Sequence, residues 1–235
     1  MGRKALQAAE TSIHGPFAPE DAFMDAPKRW TPPEPLPVPL ETDRLVLRWF
    51  ESGDGQALHE AVDPFRDKLL PWLPWAEKDH EDVEASSFRI GWFEERRGPD
   101  DDAIPDYTIG IFEKSSGQLL GGTGLHRVIP EASDAEVGYW LRADRWGEGF
   151  CTEATQAIIT SGFRDWGFRR IRIICSAANV PSRKVPERLG IRLEGTEREN
   201  LWVDGLGWTD KLTYGVLDKE WDAEAGQVWA RSAER

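Results

Sequence analysis

Apolar and polar residues alternate from the first clear element onward. Leu45, Leu47 and Trp49 are interleaved with Arg44, Val46 and Arg48, the period of two expected of a strand with one buried face. Residues 54–62 carry a helical pattern. Residues 79–97 carry a second one, in which Val83, Phe88, Ile90, Trp92 and Phe93 drift from strict helical spacing. Strands are expected at 107–113 and 118–128, joined by the turn residues Lys114-Ser115-Ser116-Gly117. A fourth strand at 135–141 leads through a polar stretch and a glycine turn into a helix at 152–166. The β-branched run 170–176 reads as a central strand, and 181–189 as a short helix stopped by Gly190. Late strands at 191–197 and 211–217 and a terminal helix at 219–231 complete the pattern. This order predicts an α/β or α+β sandwich with a mixed sheet. Where neighbouring strands stop pairing, a cleft should open.

Residues 1–40 stand apart as an extension. Pro27, Pro32, Pro33, Pro35, Pro37 and Pro39 favour an extended path there, either free or wrapped on the domain. The domain is expected over residues 41–218 and a C-terminal tail over 219–235. With 235 residues, 40% hydrophobic and 30% charged, the chain suits one sizeable domain with a core of its own. No apolar run approaches the roughly 20 residues that a bilayer crossing needs, so no membrane partner is expected. Residues 1–15 lack the apolar stretch of a signal peptide, and the cytoplasm is the expected location. A net charge of −13 argues against nucleic acid, whose phosphates need a basic footprint. Two cysteines, Cys151 and Cys175, and four histidines show no metal-ligand spacing, so no metal is proposed. A homodimer is compatible with the sequence and is not specified by it.

The chemistry concentrates at Trp146-Gly147-Glu148-Gly149-Phe150-Cys151-Thr152. A strand that feeds a glycine turn and then a helix leaves backbone N–H groups and the positive end of the helix dipole facing an anion. Gly147 and Gly149 allow a phosphate to come close to the backbone. A Walker A loop would need Gly-Lys-Ser/Thr here, and a dinucleotide fingerprint would need Gly or Ala where Thr152 stands. Gly121-Gly122-Thr123-Gly124 lies inside a strand pattern and marks a bulge or close packing instead. Trp72 and Trp75, in the proline-punctuated segment Leu70-Pro71-Trp72-Leu73-Pro74-Trp75, are candidates to line an acceptor pocket.

Glu136-Val137-Gly138-Tyr139-Trp140-Leu141 followed by the glycine turn resembles the acyl-CoA core of the GNAT superfamily, most closely its RimJ/RimL-type branch of N-acetyltransferases. Residues 41–48, the Trp72/Trp75 segment, Asn179-x-x-Ser182 and Glu187-Arg188-Leu189-Gly190 follow in the same order. The resemblance implies a mostly antiparallel sheet flanked by helices, with splayed strands that form an acyl-CoA cleft. It implies acetyl-CoA or another acyl-CoA as co-substrate, held by Tyr139, Trp140, Leu141, residues 146–152, Asn179 and Ser182. It departs from the family pattern at Trp146 and Cys151, where Gln or Arg and Gly or Ala are usual.

Direct transfer to a primary amine, of a small molecule or of a protein N-terminus, is the expected reaction. An amine is mostly protonated at neutral pH and must lose a proton before attack. Glu136 is the expected base by resemblance, against a structural carboxylate, with Asp134 and Glu131 as nearby alternatives. Pro186 stands where many relatives carry an acidic tyrosine, so Ser182 is the candidate proton donor, against a helix-capping role. Asn179 has a turn role as its plain alternative. His126 could enter the cleft or be a satisfied structural histidine. A non-catalytic acyl-CoA-binding sensor is the competing reading of the whole.

Overall fold

The computed structural model describes residues 28–97 and 106–228. Ten strands and five α-helices occur among them. Strands β1 (Leu40–Glu41), β2 (Leu45–Trp49), β3 (Tyr107–Glu113), β4 (Leu119–Ile129), β5 (Asp134–Leu141), β6 (Arg170–Ser176), β7 (Arg192–Val203) and β8 (Gly207–Leu217) form one sheet in the order β1-β2-β3-β4-β5-β6-β8-β7. Every neighbouring pair is antiparallel except β5–β6. That parallel pair holds only from Asp134–Arg170 to Glu136–Arg172, although β5 continues to Leu141. Beyond Glu136 the two strands part. The mixed sheet and its splay therefore match the expected architecture.

Alternation sends the two faces of the sheet to different cores. On one face, Tyr107, Ile109, Leu125, Val137, Ile171 and Ile173 pack against Ile158 and Ile159 of helix α4 (Phe150–Arg164) and Val185 of helix α5 (Val180–Arg188). On the other, Phe50, Phe112 and Leu119 meet helices α1 (Gly55–Val62), α2 (Arg66–Leu69) and α3 (Val83–Glu95) through Leu58, Leu69 and Ile90. Helix α3 starts four residues later than the pattern suggested, because Asp82 caps it, accepting from the Ala85 N–H at 2.7 Å.

Part of the N-terminal extension wraps the domain. Trp30 is buried, stacks on Phe168 at 4.5 Å and donates from Nε1 to the Trp166 carbonyl at 2.7 Å. Residues 1–27 lie outside the described part. The expected terminal helix is not formed over the described residues of the tail. Strands β9 (Trp221–Asp222) and β10 (Gln227–Val228) make a small hairpin instead. Asp222 Oδ1 accepts from the N–H groups of Glu224 and Ala225, both at 3.0 Å, which closes a turn before a helix can propagate. Trp221 then buries itself against Phe163, with Nε1 donating to Thr160 Oγ1 at 3.1 Å. Residues 229–235 lie outside the described part. No described helix is long and apolar enough to cross a membrane.

The Gly121-Gly122-Thr123-Gly124 run lies in mid-sheet. Ile111 pairs with Gly121 and Phe112 with Leu119, so Leu120 is the extra residue of a bulge. A Cβ on Gly121 would collide with the Trp140 carbonyl oxygen and lie 2.8 Å from the Leu141 Cα, both backbone atoms of β5. We expect Gly121→Ala to destabilise the protein by about 1–3 kcal/mol, the usual range for forced overpacking. Gly53, with nothing within 4 Å of its added Cβ, is the control. Denaturant melts should separate the two variants; equal midpoints would show that β5 gives way without cost.

Candidate active site

The glycine turn carries the local features of an anion cradle. Gly147 and Gly149 have φ of +86° and +87°, a left-handed conformation that side chains rarely adopt. Gly149 is the N-cap of α4 and supplies no side chain to the first-turn N–H groups, which stay uncapped. A hollow of about 550 Å³ borders the turn, lined by Gly147, Gly149, Thr152, Gln156 and Arg188 together with the acidic Asp43, Glu148 and Glu153. The Thr152 Oγ1 is buried without a hydrogen-bond partner among the described residues.

Ion pairs hold the turn in place. Arg44 of the β1–β2 turn reaches Glu153 at 2.6 Å and donates from Nη1 to the Glu148 carbonyl at 3.1 Å. Arg145 is committed to Glu113 at 2.8 Å and Glu148 at 3.0 Å, and these hydrogen bonds hold its pKa above the usual arginine value. Both guanidiniums lie over the ring of buried Phe150, at 4.3 and 4.8 Å from its centroid. Trp146 is 44% exposed, yet its Nε1 donates to the Leu141 carbonyl at 2.8 Å and pins the turn to the end of β5.

Across the splay, α5 faces β5. The Tyr139 hydroxyl donates to the Ser182 carbonyl at 2.9 Å and accepts from Ser182 Oγ at 3.4 Å. Burial raises the Tyr139 pKa well above its ordinary value, with a further contribution from Cys151. Asn179 is the N-cap of α5, its Oδ1 accepting from the Ser182 N–H at 3.1 Å. The cap is thus Asn179, which leaves the Ser182 hydroxyl in the gap with Tyr139.

The opposite face of β5 presents Glu136, Gly138 and Trp140. Glu136 stands at the vertex of the splay, in the last β5–β6 pair. Arg127 donates to its Oε1 at 2.6 Å, and its Oε2 is buried with no partner among the described residues. Neighbouring Asp134 is taken by Arg172 at 2.6 Å and Arg170 at 3.0 Å. Glu131 pairs with Arg29 at the surface. Trp75 meets Trp140 edge-on at 5.5 Å, and His80 at the same distance. Trp72 makes no ring pair with them among the described residues; its N–H donates to the Leu69 carbonyl at 3.0 Å.

A family model described as an acetyltransferase (GNAT) domain matches residues 44–192. The chain belongs to the GNAT acetyltransferase family. GNAT acetyltransferases use acetyl-CoA, and this acetyltransferase has it as co-substrate. The chain is 34% identical to the uncharacterized N-acetyltransferase p20 of Bacillus licheniformis, over 77% of this chain and 97% of that one. It is 26% identical to the ribosomal protein uS5-alanine N-acetyltransferase of Escherichia coli, over 78% and 93%. The solved structure of Mycobacterium smegmatis RimJ superposes with a TM-score of 0.69 at 23% identity, covering 80% of this chain and 91% of that one, a likeness of fold.

The structure thus brings Tyr139, Ser182 and Asn179 together on one side of the splay of this GNAT acetyltransferase, and Glu136, Trp140 and Trp75 on the other. Sequence reasoning did not pair Asp106 with His126, whose Oδ1 and Nδ1 lie 3.0 Å apart. The signal available was weak: His126 is two residues from Gly124 in an alternating strand. Cys151 stands in the first turn of α4, where a helix dipole favours a thiolate. Burial instead pushes the Cys151 thiol up to about 12 and the Cys175 thiol up to about 11. At pH 8 a thiol with a pKa near 12 is thiolate in roughly one molecule in 10⁴. We expect iodoacetamide at pH 8 to alkylate both cysteines at least about tenfold more slowly in the folded protein than after denaturation. Fast labelling of folded Cys151, read by peptide mass spectrometry, would contradict the burial argument.

Proposed function

We propose that this acetyltransferase moves the acetyl group of acetyl-CoA directly to a primary amine, with the thioester lying in the splay between β5 and β6. The observation that carries the reading is the parting of β5 from β6 after Glu136, directly beside the uncapped N-terminus of α4. The left-handed glycines, the uncapped N–H groups and the unpartnered Thr152 hydroxyl suit the pyrophosphate. Beyond Glu136, the edge of β5 that faces away from β4 has no ladder partner among the described residues. An extended amide-bearing arm can pair with such an edge. Tyr139, Trp140 and Leu141 supply that edge, and Asn179 borders it from α5.

Backbone N–H groups on the same edge can stabilise the charge that gathers on the thioester oxygen during attack. The Ser182 hydroxyl, freed from capping, is the proton donor or hydrogen-bond partner for the departing sulfur. Glu136, at the vertex, accepts a proton from the acceptor nitrogen. The acceptor approaches from the Trp75/Trp140 side, because the other face of the splay is filled by α4 and α5. The E. coli relative is named for the alanine of a ribosomal protein, which favours a protein N-terminus as acceptor, with small amines as the second class.

Acetyl-CoA incubated with free-N-terminus peptides and small amines, with thiol release followed, tests the reaction itself. Release dependent on an amine is the expected result; tight binding of acetyl-CoA without release across the panel would refute it. Glu136→Gln should lower turnover by about 10²-fold or more, within the usual range for a lost acid–base group, at unchanged affinity for coenzyme A. Unchanged turnover would remove Glu136 from the mechanism.

A further inference from the structure

On the Glu136 face, β4 and β5 each carry a glycine at a paired position, Gly124 opposite Gly138. The ring of His126 lies over both. A Cβ on Gly124 would be 2.8 Å from the ring Cε1 and 3.0 Å from Nε2, and one on Gly138 would be 3.2 Å from Cδ2 and 3.4 Å from Nε2. Either side chain would push the imidazole off the sheet. The two glycines therefore let the ring lie flat and place Nε2 above Gly138, two residues beyond the vertex of the splay.

The other ring nitrogen is spoken for. Nδ1 lies 3.0 Å from Asp106 Oδ1, and that carboxylate also accepts from the Thr108 hydroxyl. Burial pushes the Asp106 carboxyl up, but the hydrogen bonds from His126 and Thr108 outweigh it and leave its pKa below the ordinary value. A carboxylate on Nδ1 fixes the proton there and leaves Nε2 with its lone pair outward. Nε2 has no hydrogen-bond partner among the described residues, and it is not among the fully buried orphan atoms. His126 and Glu136 are cross-strand partners, so both groups serve the same space.

From this geometry, and resting on the acetyl transfer proposed above, we infer that His126 is a catalytic proton acceptor for the incoming amine and that Asp106 is its positioning residue. An ammonium must give up two protons to become an amide nitrogen. The first leaves before attack: an N–H bond breaks, Nε2 takes the proton, and the pair left on nitrogen forms the C–N bond as the carbonyl pair moves to oxygen. The second leaves the acidic nitrogen of the adduct for Glu136. The oxygen pair then returns, the C–S bond breaks and the thiolate departs. One of the two protons ends on the thiol and the other in solvent.

The two acceptors suit different steps. An imidazole nitrogen is the commonest proton acceptor for a free ammonium, whereas a carboxylate suffices for the far more acidic adduct.

Two measurements test the assignment. Nitrogen-15 NMR of histidine-labelled wild-type protein should show His126 as the Nδ1–H tautomer. Asp106→Asn should move it toward Nε2–H, because the amide can donate to Nδ1. An Nε2–H tautomer in the wild type would overturn the proposal even if no variant folds. Transfer rates against pH should fall about 10²- to 10⁴-fold in His126→Gln, with loss of the acid limb, while the KM for acetyl-CoA holds. Added imidazole should restore part of the rate of His126→Ala. The charged groups that bear on the profile are Asp106, Glu136, Arg127 next in the chain, and Arg96, whose charge acts on Asp106. Wild-type turnover with His126→Gln within threefold of it would overturn this inference alone. Wild-type protein that transfers to no amine would overturn the acetyl-transfer reading, and this inference with it.

Discussion

β5 is held by β4 from Glu136 to Leu141, and again at Asp134 past an irregularity, and by β6 over three residues. A strand with one edge paired and the other abruptly unpaired leaves backbone groups that must find partners elsewhere. Helix α5 approaches on one face without closing that edge, since it meets β5 through the Tyr139 and Ser182 side of the gap. The glycine turn lies where β5 ends, tied to Leu141 by Trp146. The position of the cleft, the turn and the vertex carboxylate all follow from this one interruption in the ladder.

The interruption survives because the sheet around it is locked by close approach. Gly121 accepts the backbone of β5 against itself, Gly122 lies under the Trp140 indole, and Gly124 and Gly138 lie under His126. Large rings can lie flat on the sheet only where the sheet has no side chains to lift them. The closed end of the cleft is held electrostatically, with Arg170 and Arg172 on Asp134 and Arg127 on Glu136. Buried carboxylates in such surroundings need partners, and the arginines supply them within the same sheet.

Features local in sequence were legible before the structure. The alternation of β2 and β6, the hairpin at 114–117 and the glycine turn rest on neighbours only a few residues apart, and the strands and helices formed there. What depended on distant partners was not legible. The tail folded as a hairpin because Trp221 found Phe163 and Thr160, about 60 residues away. The Tyr139 hydroxyl that meets Ser182 lies 43 residues away from it, beyond the reach of any local pattern. Asp106, just before β3, lies 20 residues from His126 of β4, with no motif to join them. Trp30 showed that part of the proline-rich segment packs on the domain, which composition alone could not decide.

Arg44 has a thermodynamic consequence of its own. It belongs to the first hairpin of the sheet, yet it grips the start of α4 through Glu153 and the Glu148 carbonyl. The first hairpin of the GNAT domain and its central helix are thus joined at the glycine turn. A ligand seated there draws its affinity from a surface that exists only when hairpin and helix are docked. Its binding free energy then adds to the resistance of the whole domain to unfolding, growing logarithmically with ligand concentration above the dissociation constant. Resistance to heat and denaturant would then rise with the concentration of whatever ligand fills that turn.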